Sequence, residues 1–274
     1  DFLESIEDLD LQIGVYNHIV KNFTNRALSF ELITTIDVPT GSGLGTSSTI
    51  VISVLGAFVE WLKLPLGEYD IAQIAVNIER YELEMAGGKQ DQYAATFGGF
   101  NFMEFYKDNR VIVNPLRLKN SVIRDLNCHL LLFYTQTKRS SSKIIEVQKR
   151  NFKSGVSQVI DASKELKVQA TKMKEALLLG NLEKVGDLLS IGWENKKKLA
   201  EGISSPQLEN IYKVAITAGA IGGKISGAGG GGFMIFYCPN NTKFAVIDTL
   251  NEIGVIHQLY TFQNNGLETW TSHL

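Results

Sequence analysis

The chain has 274 residues and is 44% hydrophobic, enough to bury a substantial core in one large or two modest domains. Its net charge of −2, from 27 basic and 29 acidic side chains, gives no general attraction to nucleic acid or to an anionic membrane, so small molecules are the expected partners. No stretch reaches the roughly 18 uncharged apolar residues of a membrane span, since Glu60 and Lys63 interrupt the strongest candidate. Cys128 and Cys238 each lie in a strand-like apolar run and read as reduced core residues, which places the protein in the cytoplasm. The chain opens on Asp1 rather than on a methionine, which gives the expectation that a preceding stretch is missing.

Residues 9–23, with Leu9, Leu11, Ile13, Val15, Ile19 and Val20 among polar neighbours, predict an amphipathic helix. Residues 27–38 alternate as a half-buried strand should, and Pro39 ends them. A glycine-rich loop leads into residues 49–64, apolar almost all round, which predicts a helix in the middle of a domain. A second helix over 68–85 presents Ile71, Ile74, Ala75 and Ile78 to the core and stops at Gly87 and Gly88. The polar run Lys89, Gln90, Asp91, Gln92 opens a short helix, followed by a strand around 100–105 and a hairpin partner at 110–113.

Residues 115–127 read as a Lys/Arg-rich connection, and a fresh strand starts at Cys128. A domain boundary between 126 and 127 gives units 1–126 and 127–274. Helical periodicity then runs over 140–202 with an interruption at Gly180 and Asn181, and a short helix covers 207–218. Residues 224–238 hold a second glycine loop between strand-like pieces. The tail predicts a helix over 243–253 and strands over 255–262 and 267–271, so the whole chain reads as mixed α+β.

The stretch richest in chemistry is 38–48, VPTGSGLGTSS. Gly41, Gly43 and Gly45 let successive amides turn toward one anion, Thr46, Ser47 and Ser48 supply an N-cap and hydroxyl oxygens, and the following helix adds its positive end. These features predict a phosphate cradle; the alternative is a tight turn before a buried helix. The P-loop pattern fails because no lysine follows the last glycine, and the dinucleotide fingerprint fails because the third glycine comes too early.

The string Pro-x-x-x-Gly-Leu-Gly-Thr-Ser at 39–47 resembles the nucleotide motif of the GHMP kinases, named after galactokinase, homoserine kinase, mevalonate kinase and phosphomevalonate kinase. Two further segments resemble that family in its order: Gly-x-x-Asp-Gln at 88–92 and SGAGGGG at 226–232. The resemblance implies a two-domain α+β kinase, with a ribosomal protein S5 domain 2-like N-terminal domain and a ferredoxin-like C-terminal domain. It implies ATP and Mg²⁺ as cofactors, with Pro39, Gly41, Ser42, Gly43, Leu44, Gly45, Thr46, Ser47 and Ser48 against the nucleotide. Asp91 would be the catalytic carboxylate, an N-cap for the short helix being its structural alternative. Ser47 and Glu79 would hold the metal, with Gly227, Gly229 and Gly230 near the site. At 100° per residue the core face of the 68–85 helix passes closer to Glu82 than to Glu79, so Glu82 stands as rival ligand.

Around these motifs, GSGLGTSS, IER with GGKQDQYAATFGGFN, and LLLFYTQTKRSS look most like bacterial D-glycero-D-manno-heptose 7-phosphate kinases, with fucokinase domains next. This implies a sugar phosphate as acceptor, phosphorylated at its anomeric hydroxyl; fucose, galactose or a mevalonate-type alcohol, or a non-catalytic nucleotide or sugar sensor, are the alternatives. Lys138 and Arg139 would anchor the substrate phosphate or else form a solvated helix start, and Lys89 and Gln90 would lie nearer the reacting end. The family's first motif has no match before Pro39, so its N-terminal strands are expected to be missing.

Overall fold

The computed structural model describes residues 2–4, 6, 9–39, 41–137 and 141–272. The chain forms two compact units. The first comprises Asp1–Thr40, Gly45–Pro115 and Gln263–Leu274; the second comprises Gly41–Leu44 and Leu116–Phe262. The units part at Pro115, earlier than the 126/127 boundary expected from the sequence. The reason lies in residues taken for a connection: Asn120–His129 is an amphipathic helix whose Val122 and Leu126 are buried and which runs straight into the strand at Leu130.

In the first unit, α1 (Asp10–Ile19) continues into a π-helical turn, Val20–Thr24. Helices α2 (Thr46–Leu62), α3 (Glu68–Asn77) and α4 (Gln90–Phe97) follow, with a second π-helical turn, Ile78–Glu82, directly after α3. Helix α2 is the centre of the unit: Val51, Ile52, Val54, Leu55 and Phe58 are buried against Val15 and Ile19 of α1 and Ile71, Ala75 and Ile78. Strands β1 (Asn101–Phe105) and β2 (Val111–Pro115) pair antiparallel with Met103 opposite Val113. Val111 and Val113 meet Ala72, Val76 and Tyr93 in a smaller apolar cluster.

Residues 27–38, expected as a strand, form neither helix nor strand, and among the described residues no strand pairs with them. Without a ladder their alternation does not bury one face: Phe30, Leu32, Ile33 and Ile36 are all exposed, and Phe30 packs edge-on against Phe58 at 5.2 Å between ring centres. The strand expected over 267–271 is also absent among the described residues. There Leu267 donates its amide to Thr96 (3.0 Å) and presses its side chain on Gly56 of α2, where a Cβ would come within 2.6 Å.

The second unit is built on a four-stranded antiparallel sheet. Its strands are β3 (Leu130–Tyr134), β4 (Gly222–Ile225), β5 (Phe233–Tyr237) and β6 (Ile256–Gln258), in the order β4-β5-β3-β6. The helix at Asn120–His129 is α5, followed by α6 (Ser141–Lys153), α7 (Ser157–Leu179), α8 (Leu182–Lys197), α9 (Pro206–Thr217) and α10 (Thr242–Glu252). Phe133, Ile225, Met234 and Phe236 of the sheet are buried with Trp193 of α8, Leu208 and Ile211 of α9, and Val246 and Leu250 of α10. Two polar side chains start helices as capping chemistry requires: Asn181 accepts from the Lys184 amide ahead of α8, and Ser205 from the Leu208 amide ahead of α9.

The two cysteines differ from the expectation of two core thiols. Cys238 is buried, and burial pushes its thiol up to about 12, whereas Cys128 lies exposed near the end of α5. The thiolate is the reactive form. The native protein is therefore expected to take up one equivalent of an aromatic disulfide thiol reagent, at Cys128, and a second only after denaturation, read as released thiolate absorbance.

Candidate active site

In the first unit the site is assembled at the start of α2. Gly45, with φ +73°, is the N-cap, and no side chain caps this end, so Thr46, Ser47 and Ser48 do not serve as the cap the sequence predicts. Thr49 instead donates to the Gly45 carbonyl at 3.1 Å, and Ser48 is buried. The first amides of α2 thus keep their donors and the helix its partial positive charge, which suits an anion.

The hydroxyl of Ser47 turns to Glu79, donating to Oε1 at 3.1 Å. Glu79 is fully buried. Its other oxygen accepts from Nε2 of Gln92, and the guanidinium of Arg80 lies 3.8 Å from Oε1. Glu82 goes elsewhere, accepting from or pairing with His18 Nδ1 at 2.7 Å in a half-exposed position. The sequence periodicity favoured Glu82 because it assumed a regular helix. The π-helical turn closes Leu83 N onto Ile78 O, five residues back, which lets Glu79 point inward beside Ile78.

Asp91 sits in the first turn of α4, whose N-cap is Lys89 rather than Asp91. Its side chain lies on the backbone of Gly45: a Cβ there would come within 3.3 Å of the Asp91 carboxyl carbon. Ser47, Glu79 and Asp91, separated by 44 residues of sequence from first to last, therefore belong to one neighbourhood of the first unit. Lys89 donates to Asn109 Oδ1 at 2.9 Å, next to the β1–β2 turn, and Gln90 is exposed. Pro39 is exposed ahead of the loop.

In the second unit, residues 41–44 pack on the second glycine stretch. Phe233 donates its amide to the Ser42 carbonyl at 3.2 Å, and the Ser226 hydroxyl donates to the Gly43 carbonyl at 3.1 Å. Gly232 has φ +88°, and a Cβ on it would lie 2.1 Å from the Ser42 carbonyl oxygen, so only glycine permits this approach. Gly227 meets Gly43, whereas Gly229 and Gly230 face Ile203. Lys196 of α8 donates to the Gly227 carbonyl. Gly232 is a contact the motif reading passed over within its own glycine run. Lys138 and Arg139 lie outside the described residues.

Sequence reasoning also missed Arg80 and Gln92, the direct partners of Glu79. Each adjoins a residue it did select, Glu79 and Asp91. Chemically, a hydroxyl and a carboxylate at the open end of a helix form an all-oxygen donor pair of the kind Mg²⁺ takes. Beside them Gln92 Oε1 is buried with no hydrogen-bond partner among the described residues. Ser47 and Glu79 bond to each other here, and among the described residues no group of three or more His, Cys, Asp or Glu side chains is placed to hold a metal ion.

The profile of the GHMP kinases N terminal domain matches residues 11–99 and that of the GHMP kinases C terminal region matches residues 173–255. This chain belongs to the GHMP kinases, ATP-dependent phosphotransferases. The N-terminal domain that the absent motif before Pro39 put in question is present. The chain is 47% identical over 270 residues to the D-glycero-alpha-D-manno-heptose 7-phosphate kinase of Campylobacter jejuni, covering 98% of this chain and 79% of that protein. A D-glycero-D-manno-heptose 1-phosphate kinase structure from Bacteroides thetaiotaomicron superposes with a TM-score of 0.79 at 38% identity, covering 98% of this chain and 78% of that one. The L-fucokinase/L-fucose-1-P guanylyltransferase of Bacteroides fragilis is 30% identical over 224 residues, 80% of this chain and 23% of that protein.

Placing a methyl group at Gly45 forces a left-handed backbone on a chiral residue, at a cost of about 1–2 kcal/mol, and crowds Asp91. Gly45→Ala is expected to lower Tm by several degrees and kcat by more than the stability loss explains, read by thermal melts and steady-state kinetics.

Proposed function

We propose that this protein transfers the γ-phosphoryl group of ATP to the anomeric hydroxyl of D-glycero-D-manno-heptose 7-phosphate, giving the 1,7-bisphosphate, a precursor of nucleotide-activated heptose. The observation that carries the chemistry is the gathering of Ser47, Glu79 and Asp91 at the uncapped start of α2. The acceptor is supported by the 47% identity to the Campylobacter jejuni enzyme.

In this reading the amides of the 41–48 loop and the positive end of α2 bind the nucleotide phosphates. Bound Mg²⁺, held by Ser47 and Glu79, would neutralise charge on the phosphates. Asp91 accepts the proton of the anomeric hydroxyl as that oxygen bonds to the γ-phosphorus and the bond to the bridging oxygen of ADP breaks. Lys89 and Gln90 lie two residues and one residue ahead of Asp91 and contact the sugar, and Lys138 with Arg139 anchors its 7-phosphate. The reaction belongs in the cytoplasm, where ATP is supplied.

The first experiment incubates the protein with ATP, Mg²⁺ and a panel of heptose 7-phosphate, heptose 1-phosphate, fucose, galactose and mevalonate, following ADP release and locating the new phosphate by phosphorus NMR. A new anomeric phosphate on heptose 7-phosphate supports the proposal. Transfer only to another acceptor removes the substrate assignment, and ATP binding with no transfer favours a sensor.

Two variants examine the roles. Asp91→Asn is expected to lower kcat by at least about 100-fold while ATP affinity, measured by calorimetry, stays near wild type. Ser47→Ala is expected to raise the Mg²⁺ concentration needed for half-maximal rate without changing the affinity for the sugar.

A further inference from the structure

The guanidinium of Arg80 makes three contacts at once. Nε donates to the Gly88 carbonyl at 2.8 Å, Nη1 donates to the Met85 carbonyl at 3.4 Å, and Nη2 lies 3.8 Å from Glu79 Oε1. The side chain is only 14% exposed. The backbone of Gly87 passes across it so closely that a Cβ at 87 would lie 2.4 Å from the guanidinium carbon. The same turn is tied back once more by the Met85 amide, which donates to the Glu79 carbonyl at 2.8 Å.

We infer that Arg80 is a positioning residue for phosphoryl transfer, gripping the turn at 85–88 so that Asp91, three residues further on, is held at Gly45 beside the Ser47–Glu79 pair. The planar fork of arginine suits two carbonyls and a carboxylate at fixed angles, a task a lysine ammonium cannot copy. Glu79 and Arg80 both leave the chain from the π-helical turn Ile78–Glu82, and the length of the arginine side chain lets it join its neighbour in one cluster. A misplacement of about 1 Å at a reacting group is worth roughly 100-fold in rate. Arg80 therefore acts on turnover without touching the substrate. The inference rests on the reading of Asp91 as proton acceptor.

The test uses the full chain with Arg80→Met, Arg80→Lys, Gly87→Ala and the Arg80→Met/Gly87→Ala double variant. Gly87→Ala displaces the guanidinium while keeping its charge, so it reports even where Arg80→Met folds poorly. Each single variant is expected to lower kcat by about 10- to 100-fold with both KM values within about threefold of wild type. Arg80→Lys is expected to recover stability but little turnover. Amide hydrogen exchange over residues 85–92 should speed up by about tenfold while the α2 core stays protected. In the double variant the two losses should not add, because both act through one contact. Wild-type kcat and wild-type exchange over 85–92 in Gly87→Ala and Arg80→Lys would overturn the inference. So would faster exchange throughout the unit with the two losses additive, which is the pattern of plain destabilisation. If the wild-type protein phosphorylates none of the acceptors, the functional reading fails, and exchange over 85–92 still decides whether Arg80 holds the turn.

Discussion

A carboxylate without access to water sets the terms for the first unit. An ionised group removed from solvent costs several kcal/mol unless its lone pairs are filled and its charge is met. Glu79 is fully buried, and three side chains from three different segments answer it: Ser47 from the first turn of α2, Gln92 from α4, and its neighbour Arg80. Each donor is thereby fixed as well. The hydroxyl of Ser47 cannot turn back to cap its own helix, and Gln92 holds α4 at the angle that lays Asp91 on Gly45. The constellation depends less on any one motif than on the need to satisfy this anion.

Much of this was legible in the residues. The glycine loop, the apolar helix behind it and the Gly-x-x-Asp-Gln segment were visible because each is a local pattern with a local cause. Between Glu79 and Glu82 the resemblance pointed to Glu79 and periodicity to Glu82, because a π-helical turn leaves no mark on hydrophobic periodicity and the face taken at 100° per residue drifts once the turn widens. Residues 27–38 alternate as a strand does, yet alternation fixes a strand only where a neighbour completes the ladder. The opposite error arose at 120–129, where Lys119, Arg124 and Asp125 masked two well-spaced apolar residues, Val122 and Leu126, that suffice to seat a helix. Partners such as Arg80 and Gln92 were out of reach, since their role exists only through contact with Glu79.

In the second unit, residues 41–44 are held through their own carbonyls, one bonded to a backbone amide and one to a hydroxyl. Ser42 and Gly43 offer their carbonyls to Phe233 and Ser226, and the approach is close because Gly227 and Gly232 have no side chains. Contacts of this kind fix the path of a loop without spending its amides. In the function proposed above, carbonyls turned to the protein would suit a loop whose amides face a phosphate.

The first unit is also discontinuous. Its helices are complete by Phe97 and its hairpin by Pro115, but Leu267 fills the groove over Gly56 and bonds to Thr96, and Gln263 accepts from the amide of Gly99. As the chain leaves the ribosome, the part that carries Ser47, Glu79 and Asp91 must wait with an open seam while nearly 150 residues of the second unit are made. The second unit is complete by Phe262, and only the segment after it, Gln263–Leu274, brings the strip that covers Gly56.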